Sequence, residues 1–407
     1  MRVMLSAFLV ACGGNSITSP GPAARIAALA GTAQSAPAQT VVTTPPSVKV
    51  TDAAGNGVAG LAVAFAVTEG GGAITGADAV TNVSGIATVG SWTVGWGANM
   101  LTASAGGLSG SPVTFVATGT GWAAKASTAA GVKIEFGVGV VNGILYAIGG
   151  GGGGGPVTTV EAYDATTNSW AGKARMPTAR FLFSTGVVNG VLYAVGGANT
   201  GGGPVATVEA YDPATNSWTS KAPMPTARRG PGVGVVNGIV YAVGGSGTAG
   251  NLGTVEAYDP ATNTWTTRAS MPTPRSELGD NVGVGVVSGI LYVVGGYRNG
   301  TAVGTVEAYD PATNTWTTKA SMPTPRSALA AGVIDGVLYA VGGWSVARNG
   351  MGIAEAYDPA ANSWASKASL PTPRHALGVG VVNGILYAVG GGPGPVGALA
   401  TVEAYQP

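Results

Sequence analysis

The chain has 407 residues, a formal net charge of +1 and only 9% charged residues, so it offers neither a basic face for nucleic acid nor the high net charge of a disordered segment. One cysteine, Cys12, and one histidine, His375, exclude an internal disulfide and any metal site built on several histidines or cysteines. There is no G-x-S-x-G elbow and no phosphate-binding G-x-x-x-x-G-K-[ST] loop.

The chain opens with MRVMLSAFLVAC: one early cation (Arg2), an apolar run from Val3 to Val10, then small residues before Cys12. That is a secretory signal pattern, and the run is too short to cross a bilayer as a helix. Leu9-Val10-Ala11-Cys12 resembles a bacterial lipobox, which implies removal of residues 1–11 and acylation of Cys12. Residues 12–23, rich in Gly, Ser and Pro, then read as a tether to an outer-membrane or cell-surface lipid anchor.

From 24 to 119 the texture is that of short alternating strands (VKVTD, LAVAFAV, GIATVGSWTV, MLTASAG, PVTFVATG) between Gly-, Asn- and Asp-containing turns. This predicts a β-sandwich. The order VTDAAGNGVAGLAVAF, GGGAITG, TNVSGIATVGSWTVG, NMLTASAGG resembles the bacterial Ig-like domains of the invasin and intimin type, which implies a spacer. Trp92 and Trp96 are expected as core or junction residues.

Residues 120–407 repeat one unit. Residues 255–275 and 306–326 are the same twenty-one-residue sentence, VEAYDPATNTWTT[R/K]ASMPTPR, differing only at Arg268 and Lys319. Each copy has an apolar strand ending in a VNG-like turn, a Tyr-containing strand ending in Gly-Gly, a VEAYD strand, a PATN-type turn and a strand opening with Trp. A period of about 48 residues made of four short strands predicts a propeller blade. The GVGV stretches at Gly137, Gly232 and Gly283 are read as small residues in crowded strands. Gly-Gly after Tyr, then Tyr-Asp, then Trp is similar to the kelch repeat. The last copy stops at VEAYQP, and its missing Trp strand stands at the front of the repeat region as Trp122-Ala-Ala-Lys-Ala. The expected fold is therefore all-β: a six-bladed kelch β-propeller closed by three C-terminal strands and one N-terminal strand, preceded by an Ig-like β-sandwich. Closure of that kind removes open sheet edges.

Strands in a blade alternate direction, so the VNG and PATN turns share one face and hardly vary. The loops after Gly-Gly and after MPTPR share the other face and do vary, which marks it as the candidate site. Arg180, Arg228, Arg275, Arg326 and Arg374 would ring this face. Glu161, Glu209, Glu256, Glu307, Glu355 and Glu403 point the same way as the tyrosines of VEAYD and should be partly buried. A buried carboxylate needs a partner, so the arginines, with Lys133 at the sixth place, are read as interblade pairs to these glutamates. Residues that occur in only one copy are the better ligand candidates: Tyr297, Arg298, Trp344, Arg348, His375, Arg229, Glu277 and Asp280, with Phe181 and Phe183 nearby. Tyr297, Trp344 and His375 fall in consecutive blades and suit an exposed aromatic anchor for a sugar or peptide.

The expected function is non-enzymatic: a monomeric, membrane-anchored surface protein that presents the propeller to a glycan or protein, needing no cofactor or metal. The kelch resemblance also admits a sialic-acid mutarotase-like enzyme, for which Glu135, Glu277 and Asp280 are the copy-specific acids. A copper-radical oxidase is excluded by the histidine and cysteine counts. A structural coat component is the third reading.

Overall fold

The computed structural model of the protein describes residues 19–131, 133–152, 155–276, 283–345, 349–394 and 397–407. The signal segment and Cys12, and also Glu277, Asp280 and Arg348, lie outside the described residues. No helix occurs among the described residues, and the chain divides into two compact units, Met1–Thr120 and Gly121–Pro407.

In the first unit, strands Ala23–Ala30, Ser47–Asp52 and Ile86–Thr88 form one sheet. Asp78–Val80, Ala62–Glu69, Gly97–Ser104 and the front of Val113–Lys125 form the other, with Ala33–Pro37 parallel to the last of these. Alternate residues turn inward, as the period of two requires. Val48, Val50, Phe65, Leu101 and Phe115 from both sheets share one core with Trp92, which comes from the short pair Ala73–Thr75 and Ser91–Thr93. Trp92 is fully buried and Trp96 half-buried.

The second unit is a six-bladed propeller of four-stranded antiparallel sheets. The first blade shows the pattern: Gly137–Val141, Ile144–Ile148, Val160–Asp164 and Ser169–Lys173, each hydrogen-bonded to the next. Its first turn holds Asn142 at φ 49° and Gly143 at φ 77°, the paired left-handed geometry of a type I′ hairpin. Ser288 and Asp335 take the same conformation in their blades.

The innermost strands pack so closely that their middle residue must be glycine. A Cβ on Gly139 would meet Leu192 of the next blade at 2.1 Å, and one on Gly380 would meet Leu145 at 2.7 Å. Gly186, Gly234, Gly285 and Gly332 face the next blade in the same way, all within 3.0 Å. That places the crowding read from GVGV at the blade-to-blade contact.

The closing blade combines Gly378–Val382, Ile385–Val389 and Val402–Gln406 with the end of Val113–Lys125. The register runs from Gly121 opposite Gln406 to Lys125 opposite Val402. The Trp122 ring lies 5.1 Å from Tyr405, the spacing Trp170 keeps to Tyr163 within the first blade. The Trp122 indole donates to the Ala368 carbonyl (2.8 Å), as Trp170 does to Ala126 (2.8 Å). One strand from the front of the repeat region thus substitutes for the missing fourth strand, bond for bond at the tryptophan.

Candidate functional site

The variable face rests on a layer of buried charge. Arg180, Arg228, Arg275, Arg326 and Arg374 are all 0% exposed. Arg180 lies 3.0 Å from Glu209 and Arg228 2.6 Å from Glu256, while Arg275, Arg326 and Arg374 pair closely with Glu307, Glu355 and Glu403. Lys133 takes the sixth place, 3.6 Å from Glu161. The second carboxylate oxygen accepts a threonine hydroxyl in five copies: Thr178, Thr226, Thr273, Thr324 and Thr372, at 2.7 to 2.9 Å. Burial pulls all five guanidinium groups below the ordinary arginine pKa, to about 10 for Arg180, while the paired glutamate pulls the other way. These arginines are held inside the frame and offer nothing to a ligand.

The pairing differs from the sequence reading in one respect. Each glutamate belongs to the blade that its arginine leads into, so the side-chain bond ties a connecting loop to its own following blade. The link to the preceding blade is made by backbone: the second glycine of Gly-Gly donates to the carbonyl of the basic residue. Gly150 donates to Arg180, Gly197 to Arg228, Gly245 to Arg275, Gly296 to Arg326, Gly343 to Arg374 and Gly391 to Lys133, at 2.8 to 3.2 Å.

Beyond each strut the chain makes two further steps. The first residue pairs with the residue after Gly-Gly: Ile134 with Gly151, Phe181 with Ala198, Arg229 with Ser246, Ser276 with Tyr297, Ser327 with Trp344, His375 with Gly392. The second turns left-handed even though most are not glycine: Glu135 (φ 59°), Leu182 (φ 53°), Gly230 (φ 54°), Ala328 (φ 48°) and Ala376 (φ 50°). A left-handed Leu or Ala is strained by about 1 kcal/mol or more and persists only where neighbours enforce it. The enforcing bonds form a collar from blade to blade. Leu182 N–H donates to Glu135 (3.0 Å), Gly230 to Leu182 (2.7 Å), Ala376 to Ala328 (2.8 Å) and Glu135 to Ala376 (3.3 Å).

On this collar the copy-specific residues separate. Tyr297 is half-buried, and its ring lies 5.4 Å from Trp344. Trp344 is only 6% exposed and packs with Ala328 and Ala376, with Ile134 and Tyr297 against the same cluster. The expectation of Trp344 as an exposed anchor is therefore corrected: loops of consecutive blades converge over the indole and cover it. Tyr297 and Trp344 are brought together. His375 is half-buried beside Ala376, but its Nε2 is 3.0 Å from the carbonyl oxygen of Gly394, within its own blade. Arg298 is exposed next to Tyr297. Arg229 is exposed elsewhere on the rim and donates to the Gly202 carbonyl (3.0 Å). Phe183 is fully buried and Phe181 half-buried. Among the described residues no three of His, Cys, Asp or Glu come close enough to hold a metal ion.

Sequence reasoning missed the collar because its members, Glu, Leu, Gly and Ala, have no side chain common to all. The signal available was spacing alone: each stands two residues after the basic strut.

The profile of the KLHDC2/KLHL20/DRC7 Kelch-repeats domain matches residues 137–343, and the Kelch motif profile matches residues 325–371. No curated protein matches the chain. Among solved structures the chain is similar to that of YjhT, at 19% identity and a TM-score of 0.58, over 69% of this chain and 97% of that one. At that identity the likeness concerns the fold. With the matching domain profile covering more than half of the sequence, this chain belongs to the kelch-repeat family.

Proposed function

We propose that the protein is a membrane-anchored bacterial surface binding protein whose collar face recognises a glycan or a protein. The observation that carries the reading is the division of labour among its charges. Every basic strut and its glutamate are paired below the face, whereas the residues that differ between blades stand on the collar and rim. Tyr297, partly exposed on its buried Trp344 support, with Arg298 beside it, is the chemistry available there to a ligand. An aromatic ring held by a packed layer loses little entropy on binding, which suits it as an anchor. The lipobox-like Leu9-Val10-Ala11-Cys12 supports acylation of Cys12, and the preceding unit, whose sequence resembles bacterial Ig-like domains, would act as spacer.

The test uses the soluble chain from Gly13 on a glycan array and against surface-protein fractions. Binding by wild type that drops at least tenfold in Tyr297→Ala, with unchanged melting temperature, is expected. A ligand that binds Tyr297→Ala as well as wild type would place recognition elsewhere. For the anchor, the full-length wild type should take up a fatty-acid label that Cys12→Ser loses. A second reading, sugar anomerisation, rests on Glu135, a copy-specific carboxylate at the collar. It predicts an activity that Glu135→Gln abolishes.

A further inference from the structure

The six blades are not bonded equally, and the closing blade lacks a bond that the other five share. In five of them an asparagine two residues before the tryptophan accepts the hydroxyl of the blade's own tyrosine. The pairs are Tyr163–Asn168, Tyr211–Asn216, Tyr258–Asn263, Tyr309–Asn314 and Tyr357–Asn362, each at 2.7 Å. The same amide oxygen accepts a backbone N–H where a blade exits (Ala126, Ala174, Ala222, Ala269 and Ala320, each at 2.9 Å). All five asparagines are left-handed, with φ between 49° and 57°, which aims the side chain back at the tyrosine. Two residues before Trp122 stands Thr120, in extended strand, with its hydroxyl near the Ala36 carbonyl (3.4 Å). The closing blade therefore lacks this latch.

The chain then reaches Lys133, the one strut that is not arginine. Lys133 donates to the Thr159 hydroxyl (2.7 Å) and stays 3.6 Å from Glu161, whose Oε2 is buried without a hydrogen-bond partner, as is Oε2 of Glu209 opposite Arg180. Arg374, by contrast, donates to the carbonyls of Gly390 (3.1 Å) and Thr401 (2.9 Å) as well as to Glu403. Residues 121–131 are thus held by the five-residue ladder to Val402–Gln406, the Trp122 contacts and the bonds of Ala126, Thr128 and Ala130, with the tyrosine latch missing at the front and a lysine in place of arginine just beyond the end.

We propose that residues 121–131 form a strap that detaches from Val402–Gln406 and opens the ring while the other five blades stay folded. The strap is also where residues 1–120 join the propeller by chain connectivity. A strap that yields before the blades makes ring closure, and with it the collar, a switchable property.

The experiment is hydrogen exchange read by mass spectrometry on the full chain. Amides bonding Gly121–Lys125 to Val402–Gln406 should exchange about thirtyfold faster than those in the same register between Val160–Asp164 and Ser169–Lys173, the factor two ordinary hydrogen bonds carry. Lys133→Arg should slow that exchange about fivefold. A disulfide between Ala123→Cys and Ala404→Cys, which are direct cross-strand neighbours, in a Cys12→Ser background should suppress it in the closing blade alone. Equal protection in all six blades of the wild type would overturn the proposal. So would a disulfide that slows exchange everywhere alike, since opening would then be global. If Lys133→Arg does not fold, the wild-type profile and the disulfide decide.

Discussion

Arg228 and Arg229 are neighbours in sequence and opposites in the structure. Arg228 is fully buried, bonded to Glu256 and to the carbonyls of Thr226, Gly244 and Thr254. Arg229 is exposed and reaches one carbonyl, that of Gly202. The same contrast divides the strut layer from the rim above it. In the layer, each charge has been moved out of water and is tolerable only because its partners are fixed. On the rim, charge stays hydrated and is free to meet a ligand. Residue type therefore says little about role here, and repetition says more: the arginine that recurs in five of the six copies belongs to the frame.

The sharpest way to break this contrast is to remove one partner of a strut. Arg326→Ala should destabilise the protein by about 3–5 kcal/mol, because it leaves Glu355 buried without its cation. Denaturant unfolding should show the loss, and Arg326→Met combined with Glu355→Leu should recover much of it. A neutral Arg326→Ala would mean that the layer is not a frame. Trp344→Ala comes next, at about 3 kcal/mol, since the indole is buried in the collar cluster. A melting temperature unchanged in this variant would restore the exposed-anchor expectation.

Alkaline pH tests the frame as a whole. Burial raises Tyr163, Tyr211, Tyr258 and Tyr357 to about 12, above the ordinary tyrosine value of 10.0. The Tyr357 hydroxyl owes its rise first to burial and then to the nearby Tyr292 and Asp358. The folded state therefore holds these protons after the unfolded chain has released them. Stability should be complete below about pH 10 and fall from there toward about pH 12, with tyrosinate absorbance at the unfolding transition as the readout. Tyrosine ionisation well before unfolding would show that the inner layer admits water. The smallest effect belongs to the rim. Arg298→Ala should change stability by no more than about 0.5 kcal/mol, while weakening any ligand held over Tyr297. A large loss of stability from Arg298→Ala would erase the distinction between the two regions.

Much of the frame was legible in the sequence because it is built from local chemistry repeated at a fixed period. Asn-Gly selects a type I′ turn wherever it stands, Gly-Gly breaks a strand, and VEAYD alternates inward and outward by its own pleat. Six copies of that pattern, with a fourth strand displaced to the front, determined the blade count and the closure at Trp122. The need of six buried glutamates for six cations followed from the same arithmetic. Only the tertiary structure decided what the loops do. Trp344 is covered because ring closure carries Ala328, Ala376, Ile134 and Tyr297 onto it, and those residues are spread from one end of the propeller sequence to the other. The collar of Glu135, Leu182, Gly230, Ala328 and Ala376 is a backbone feature with no side chain common to all five, so no residue pattern announces it. Which blade each strut grips was likewise decided in space, since a guanidinium at the junction of two blades can reach either one, and packing against the following blade chose between them.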